Sequence, residues 1–254
     1  MLPRRSSVMI PSKLPHPPSL DELCATKNVA LFLDFDGTLI EIAEGPDTIH
    51  VPDNVSQRLE ALSVRLDNRL ALVSGRGLDN LNQHLGMPCI ARAGSHGAER
   101  LDAQGEPLGP NPKRLSSDVI DSLRHVTSVH GALFEAKPFG AAIHYRSIPE
   151  NGAAIDAAVA RVAEESALTI KRGKCVIELV RPGADKGSAL SAFMETPAFA
   201  GSKPIFIGDD VTDEDGFVAA RRLGGLGVAV GERPSDNANY KLDTVKDVHA
   251  WLNL

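Results

Sequence analysis

Two carboxylates, Asp34 and Asp36, stand one residue apart directly after the five-residue apolar run Val29 to Leu33, and Gly37 and Thr38 follow. A short apolar run that stops at a turn reads as a buried strand of a parallel sheet. Carboxylates are seldom placed at such a site unless they are paired or hold a metal. An Asp-x-Asp-Gly turn also arises by chance, so the rest of the chain has to decide between chemistry and accident. A second acidic group, Asp209, Asp210 and Asp213, follows another apolar run, Pro204 to Gly208. Several carboxylates on one rim repel each other and raise each other's pKa unless a divalent cation compensates. Oxygen donors without clustered His or Cys favour Mg²⁺ over zinc or iron.

Asp34, last on its strand, is the candidate nucleophile, because carboxylates can carry a phosphoryl group covalently. Asp36 can protonate a leaving alcohol and later activate water, and its main-chain carbonyl can ligate the metal. Gly37 gives the turn its freedom and opens amides to a phosphoryl oxygen. Ser74 and Gly75 stand at the end of the apolar run Leu70 to Val73, where a hydroxyl and the amides of the next helix's first turn can bind phosphate. Lys186, in Gly-Ala-Asp-Lys-Gly, can neutralise phosphate or the nucleophile; a lone lysine is otherwise a surface residue.

These residues need a frame that brings strand ends together. Asp53 is placed to cap a helix carrying Val55, Leu59, Leu62 and Leu66, after a polar loop over 41–51. A helix through Leu78, Leu81 and Leu85 leads to a third strand, Cys89 to Ala93, and the turn Gly94-Ser95-His96-Gly97. Strand alternating with helix predicts an α/β fold, a doubly wound and mostly parallel sheet. In such a sheet the carboxyl ends of the strands form one rim, so Asp34, Asp36, Ser74, the 94–97 turn and Asp209 converge on one crevice.

The rhythm changes after the Gly- and Pro-rich stretch 104–112. Helix near 113–128, strands 132–137 and 141–147, helix 152–166 and strands 168–172 and 175–180 predict a separate α+β layer. The predicted organisation is a leader over 1–28, core over 29–107, an inserted cap over 108–181 and core again over 182–254. The leader, with five prolines among its first 18 residues, lacks the unbroken apolar stretch of a signal peptide and is expected to be poorly ordered and dispensable. In the cap, Ala142, His144 and Arg146 alternate onto one strand face, and Glu178 shares a face with Val176 and Val180. A charged Glu178 in so apolar a strand is either paired within the cap or pointed at the crevice; it and Lys137 are expected to meet sugar hydroxyls or phosphate, since a carboxylate accepts from hydroxyls directly. His144 reads equally as a partly buried structural histidine, and Arg76 can pair with an acidic rim residue.

A net charge of −6 without a basic run excludes a nucleic-acid or membrane surface, and 4% aromatics leaves no base-stacking platform. No stretch is long enough to span a bilayer. The three scattered cysteines form no disulfide framework, which fits a reducing, cytoplasmic setting, and Cys89 and Cys175 lie in apolar runs as small core residues.

Asp34-Phe-Asp-Gly-Thr-Leu, Ser74-Gly-Arg, Lys186-Gly and Gly208-Asp-Asp-Val-Thr-Asp-Glu-Asp resemble the four signature segments of the haloacid-dehalogenase superfamily. Together with Gly94-Ser-His-Gly-Ala-Glu, Lys137, His144-Tyr-Arg and Glu178 with Arg181-Pro, they resemble its trehalose-6-phosphate phosphatase family over about 29–254. The family usually has Tyr where this chain has Phe35. The resemblance implies Mg²⁺ held by Asp34, Asp209 and the carbonyl of Asp36, with Asp213 and Asp210 in support. It implies nucleophilic Asp34, acid/base Asp36, and Ser74 and Lys186 as phosphate and charge partners. Arg76, His96, Lys137, His144, Arg146 and Glu178 are the expected substrate contacts. The implied reaction is hydrolysis of trehalose 6-phosphate, the last step of trehalose biosynthesis, on a small sugar phosphate with no obligatory protein partner. The alternatives are another sugar phosphate (sucrose, mannosyl or hexose) or a phosphomutase built on the same core.

Overall fold

A computed structural model of the chain describes residues 14–26, 28–42, 49–110, 112–173 and 175–254. Residues 1–13 of the expected leader, 43–48 of the expected loop and Asn111 lie outside the described residues.

Among the described residues the first elements are α1 (Leu20–Thr26), β1 (Val29–Leu33), α2 (Val55–Arg65), β2 (Leu70–Val73), α3 (Leu78–Leu85), β3 (Ala91–Gly94) and β4 (Glu99–Leu101). A second group follows: α4 (Ser117–His130), β5 (Leu133–Lys137), β6 (Gly140–His144), α5 (Gly152–Glu165), β7 (Thr169–Gly173) and β8 (Val176–Val180). The chain closes with α6 (Lys186–Met194), β9 (Lys203–Gly208), α7 (Glu214–Arg222), β10 (Leu226–Val230), β11 (Tyr240–Leu242) and α8 (Val245–Leu252).

The larger sheet has the order β11-β10-β9-β1-β2-β3-β4 and is parallel except for β4. Every residue of β1 is buried, because both sheet faces are covered. Leu31 and Leu33 point to the face packed by α2, α3 and α8, while Phe32 points to the face packed by α6 and α7. The chain winds from β1 through β2 and β3, then later returns to β9 on the other side of β1. The strand order therefore reverses between β1 and β9, and an open α/β sheet has its crevice at the carboxyl ends beside that point. Asp34 and Asp209 emerge there, one from each strand.

The second sheet, β5-β6-β8-β7, is wholly antiparallel. Ile143, Ile177 and Leu179 on one face pack against Leu123 and Val126 of α4 and Ile155 and Val159 of α5. Strand alternation turns the other face to the crevice, with Glu135, Ala142, Glu178 and Lys171 paired in one row across it. Arg181 ties the two crossings between the sheets together, donating from Nε to the Lys113 carbonyl at 2.9 Å and from Nη2 to that of Arg114 at 2.8 Å.

Several expectations need correction. Within the supposed leader, Leu20 and Leu23 of α1 are buried in the core, Trp251 Nε1 donates to the Pro18 carbonyl, and the Lys241 amide donates to that of Pro15. The prolines break a signal peptide but not a strap laid over β11 and α8. Asp53 caps nothing; Asn54, at φ 65°, holds the N-cap of α2 without a side-chain bond. Cys89 is exposed at the turn before β3, and Cys175 is half-buried at a turn with φ 59°. The short antiparallel β4 carries Glu-Arg-Leu and shows no alternation to read. β6 ends at His144, so Arg146 stands exposed on a turn and not on a strand face.

Candidate active site

Asp34 is the first residue past β1, with its amide bonded to the Ile207 carbonyl of β9 at 2.9 Å. Its carboxylate is 95% buried, and Lys186 Nζ donates to its Oδ1 at 2.6 Å. The same ammonium donates to Asp213 Oδ1 at 2.6 Å. Lys186 opens α6, capped by Asp185, which accepts from the Ser188 amide at 2.7 Å. Helix capping thus fixes where the ammonium enters the crevice. Burial pulls the Lys186 ammonium down, but Asp213 and Asp34 outweigh it and hold it above the ordinary lysine range.

Asp34, Asp209 and Asp213 each bring an oxygen within 4.8 Å of the others. Burial raises all three, with mutual repulsion adding to it and Lys186 opposing: Asp34 to about 7, Asp209 to about 6 and Asp213 to about 7. Three carboxylates against one ammonium leave a deficit that a proton or a cation must fill. Oxygen donors alone at this spacing suit Mg²⁺, so the residues present fit the expected metal. Asp213 belongs inside the cluster, whereas Asp210 is exposed and caps the turn Val211–Asp213.

Other expected residues take different places. Gly37 has φ 79°, and any Cβ there would run into the Asp209 carboxylate, so this turn admits glycine alone. Its amide is not open to phosphate, because it donates to the Ile40 carbonyl at 2.7 Å. Ser74 is fully buried and its Oγ accepts from the Arg76 amide at 3.1 Å, leaving Gly75, Arg76 and Gly77 as the lining residues of that turn. Arg76 grips Asp36 with both arms of its guanidinium, Nε to Oδ2 at 2.6 Å and Nη2 to Oδ1 at 2.7 Å, while Nη1 donates to Asn80 Oδ1 at 2.7 Å. Asn80 carries no sequence motif beyond lying four residues on from Arg76.

The cap face closes the crevice into a cavity of about 630 Å³ that contains Asp34, Asp36, Arg76, His96, Lys137, Glu178 and Lys186. Ser95 and His96 sit at φ 51° and 57°, a costly conformation for side-chain-bearing residues. Their amides donate to the Arg76 and Ser74 carbonyls at 2.7 and 2.9 Å, which locks the turn. The His96 ring reaches the cap there, its Nε2 lying 3.0 Å from Glu178 Oε2. Lys137 bonds the other oxygen, Oε1. Burial alone would raise Glu178, but His96 and Lys137 overcome it and hold the carboxylate down at about 2. It therefore stays an acceptor at any working pH. His144 does not line this cavity; its Nε2 bonds Glu135 Oε2 at 2.7 Å, and Glu135 does line it. Arg146 is absent from the cavity wall.

A capped, doubly wound α/β domain, with its acidic cluster at the switch point, defines the haloacid-dehalogenase class of hydrolases. A haloacid dehalogenase-like hydrolase from Bacteroides thetaiotaomicron superposes on 88% of this chain and 98% of its own, with a TM-score of 0.66 at 17% identity. The trehalose-phosphatase family model matches residues 32–246, and the chain belongs to that family of phosphoric monoester hydrolases. It is 39% identical over 228 residues to the trehalose-6-phosphate phosphatase of Escherichia coli K12, covering 89% of this chain and 85% of that one. A solved trehalose-6-phosphate phosphatase from Aspergillus fumigatus is 25% identical, with a TM-score of 0.67 over 94% of this chain and 97% of its own. Among the described residues no helix is long and apolar enough to cross a membrane.

The cluster yields a direct expectation. Chelation abolishes phosphatase activity and Mg²⁺ restores it, and Asp209→Asn weakens calorimetric Mg²⁺ affinity at least about tenfold, by loss of one charged donor. Full activity in excess chelator, or unaltered affinity in the variant, contradicts the assignment.

Proposed function

We propose that this chain hydrolyses trehalose 6-phosphate to trehalose and phosphate through a phosphoryl group carried on Asp34, with Mg²⁺ held by Asp34, Asp209, Asp213 and the carbonyl of Asp36. The observation that carries the reading is the buried, lysine-clamped Asp34 carboxylate on the floor of a cavity roofed by Lys137 and Glu178. Family membership supplies the substrate class, and the chemistry of the residues supports the route.

An Asp34 oxygen attacks phosphorus as the ester bond to the sugar oxygen breaks, and Asp36 gives that oxygen its proton. Water then attacks phosphorus, the bond to Asp34 breaks, and Asp36 takes the proton back. When bound, Mg²⁺ neutralises phosphoryl oxygens and so favours attack by an anionic group. Lys186 holds the nucleophile in place and offsets charge that builds as phosphorus is approached. The guanidinium fork on Asp36 binds its ionised form, so the acid must be freed before it can donate. An incoming phosphate dianion competes for Arg76 and releases the Asp36 carboxylate, which takes up a proton from solvent before it donates that proton to the sugar oxygen.

The deciding experiment compares leaving groups. Asp36→Asn lowers trehalose 6-phosphate turnover by about 10²–10⁴-fold, the usual worth of a positioned acid/base. A nitrophenyl phosphate, whose leaving group needs no proton, keeps its first step and shows a burst of nitrophenol. Equal loss for both substrates without a burst removes Asp36 from the acid role.

The cap face has its own test. Glu178→Gln keeps shape but no longer anchors Lys137 and His96 through charge. Turnover of trehalose 6-phosphate falls at least about tenfold, and that of a small aryl phosphate falls far less. Parallel losses on the two substrates assign Glu178 to folding instead of sugar recognition.

A further inference from the structure

Arg233 lies in the connection between β10 and β11, a stretch with no catalytic signature, yet its guanidinium is spent on the acidic rim. Its Nε donates to the Asp209 carbonyl at 3.0 Å and its Nη2 to the Asp210 carbonyl at 3.0 Å. Nη2 also meets Glu214 Oε1 at 2.6 Å, and Nη1 donates to the Pro234 carbonyl at 2.9 Å. Glu214, at the start of α7, is held in turn by Asn237 Nδ2 at 2.9 Å. Arg233 is therefore anchored on α7 while it holds two successive carbonyls of the segment that follows β9.

The peptide unit between Asp209 and Asp210 gives this contact its meaning. A trans peptide is planar, so fixing the direction of its carbonyl fixes the opposite direction of its N–H. Arg233 holds the carbonyl of that unit, and its N–H, on Asp210, donates to Asp213 Oδ2 at 2.9 Å. The other oxygen of Asp213, Oδ1, accepts from Lys186, which also holds Asp34. One rigid plane thus connects Arg233 to the aim of Asp213, and through Lys186 to that of Asp34. The same plane sets the backbone from which the Asp209 side chain springs.

We propose that Arg233 is a positioning residue for the Mg²⁺ site: it orients the 209–210 peptide and with it the carboxylates of Asp209 and Asp213, touching neither metal nor substrate. The inference rests on the metal reading given under Proposed function. A fork is required because three carbonyls and a carboxylate are held at once, which a lysine ammonium on a flexible stem cannot reproduce. Groups that orient metal ligands from behind are worth about 10–100-fold in metal affinity.

The test is calorimetric Mg²⁺ titration of the full chain, with melting of the metal-free protein measured beside it. Arg233→Met raises the Mg²⁺ dissociation constant about tenfold or more. Its turnover is lost at limiting Mg²⁺ and largely recovered at saturating Mg²⁺, with KM for the sugar phosphate unchanged. Arg233→Lys keeps the charge and recovers only part of the affinity. Glu214→Gln, which leaves the Arg233 contacts to the carbonyls in place but loosens their anchor, weakens Mg²⁺ binding in the same direction and serves if Arg233→Met does not fold. Binding by the wild type together with unaltered affinity in Arg233→Met and Glu214→Gln overturns this inference alone. Absence of Mg²⁺ binding by the wild type overturns the metal reading, and this inference with it.

Discussion

Asp34→Asn retains the fold and loses turnover by more than about 10⁴-fold, the scale seen when a covalent nucleophile is removed. The amide keeps the shape of the carboxylate but has no charge with which to attack phosphorus. It also leaves Lys186 with one ionised partner instead of two. The intermediate itself is accessible in the Asp36→Asn background, where the second step lacks its base. Rapid acid quench of that variant with nitrophenyl phosphate, whose first step survives the substitution, followed by peptide mass spectrometry, finds the mass of one phosphoryl group on the peptide containing Asp34. Substantial turnover by Asp34→Asn, or label on another residue, rules out covalent catalysis there.

Lys186→Met has the second largest effect, and it reaches stability as well as rate. The ammonium is 97% buried between Asp34 and Asp213, with Asp209 close by. Removing one partner of a buried ion pair costs about 3–5 kcal/mol, because the remaining charge is stranded out of water. Here two carboxylates are stranded together and must take up protons or a cation. Denaturant unfolding of the metal-free variant therefore shows a loss of that order. Added Mg²⁺ recovers much of the stability and little of the activity, since the nucleophile is no longer oriented. A loss below about 1 kcal/mol, the range of an exposed pair, shows that Lys186 does not carry this compensation.

The core was legible where physics leaves a periodic or compositional trace. Apolar runs of four or five residues leading into Asp or Ser announced β1, β2 and β9, and the convergence of their ends followed from sheet geometry alone. The alternation in the cap strands set Glu178 apart on an otherwise apolar strand but left open whether it pairs within the cap or faces the crevice, and the structure shows both, with Lys137 and His96 on its oxygens inside the cavity. Where no such trace exists the sequence was silent or misleading. The segment leading into α1 hid behind prolines because its carbonyls, on Pro15 and Pro18, are held by Lys241 and Trp251, more than 200 residues away. Arg146 continued an alternating pattern past the point where a turn ends β6. Gly37 carried the right residue type for an open amide, yet a bond to Ile40 closes it, and no spacing rule reveals a hydrogen-bond partner three residues on. Arg233 left no signal at all, because three of its four partners are main-chain carbonyls, which every residue possesses.

The strand order has a consequence for the birth of the protein. β1 lies between β2, its near neighbour in the chain, and β9, which is translated only after the whole cap. On the ribosome β1 emerges with one edge lacking its partner, and that edge stays open until Lys203–Gly208 has left the exit tunnel. The cap, by contrast, is one continuous segment of adjacent helices and hairpins, whose contacts are close in sequence and quick to form. A domain made of local contacts folds as soon as it is complete, while the split core waits for its second half. Asp34 belongs to the first half, and Lys186, Asp209 and Asp213 to the last. No nascent fragment that ends before Asp213 possesses the full cluster, so phosphatase chemistry waits until the second half of the core has been made.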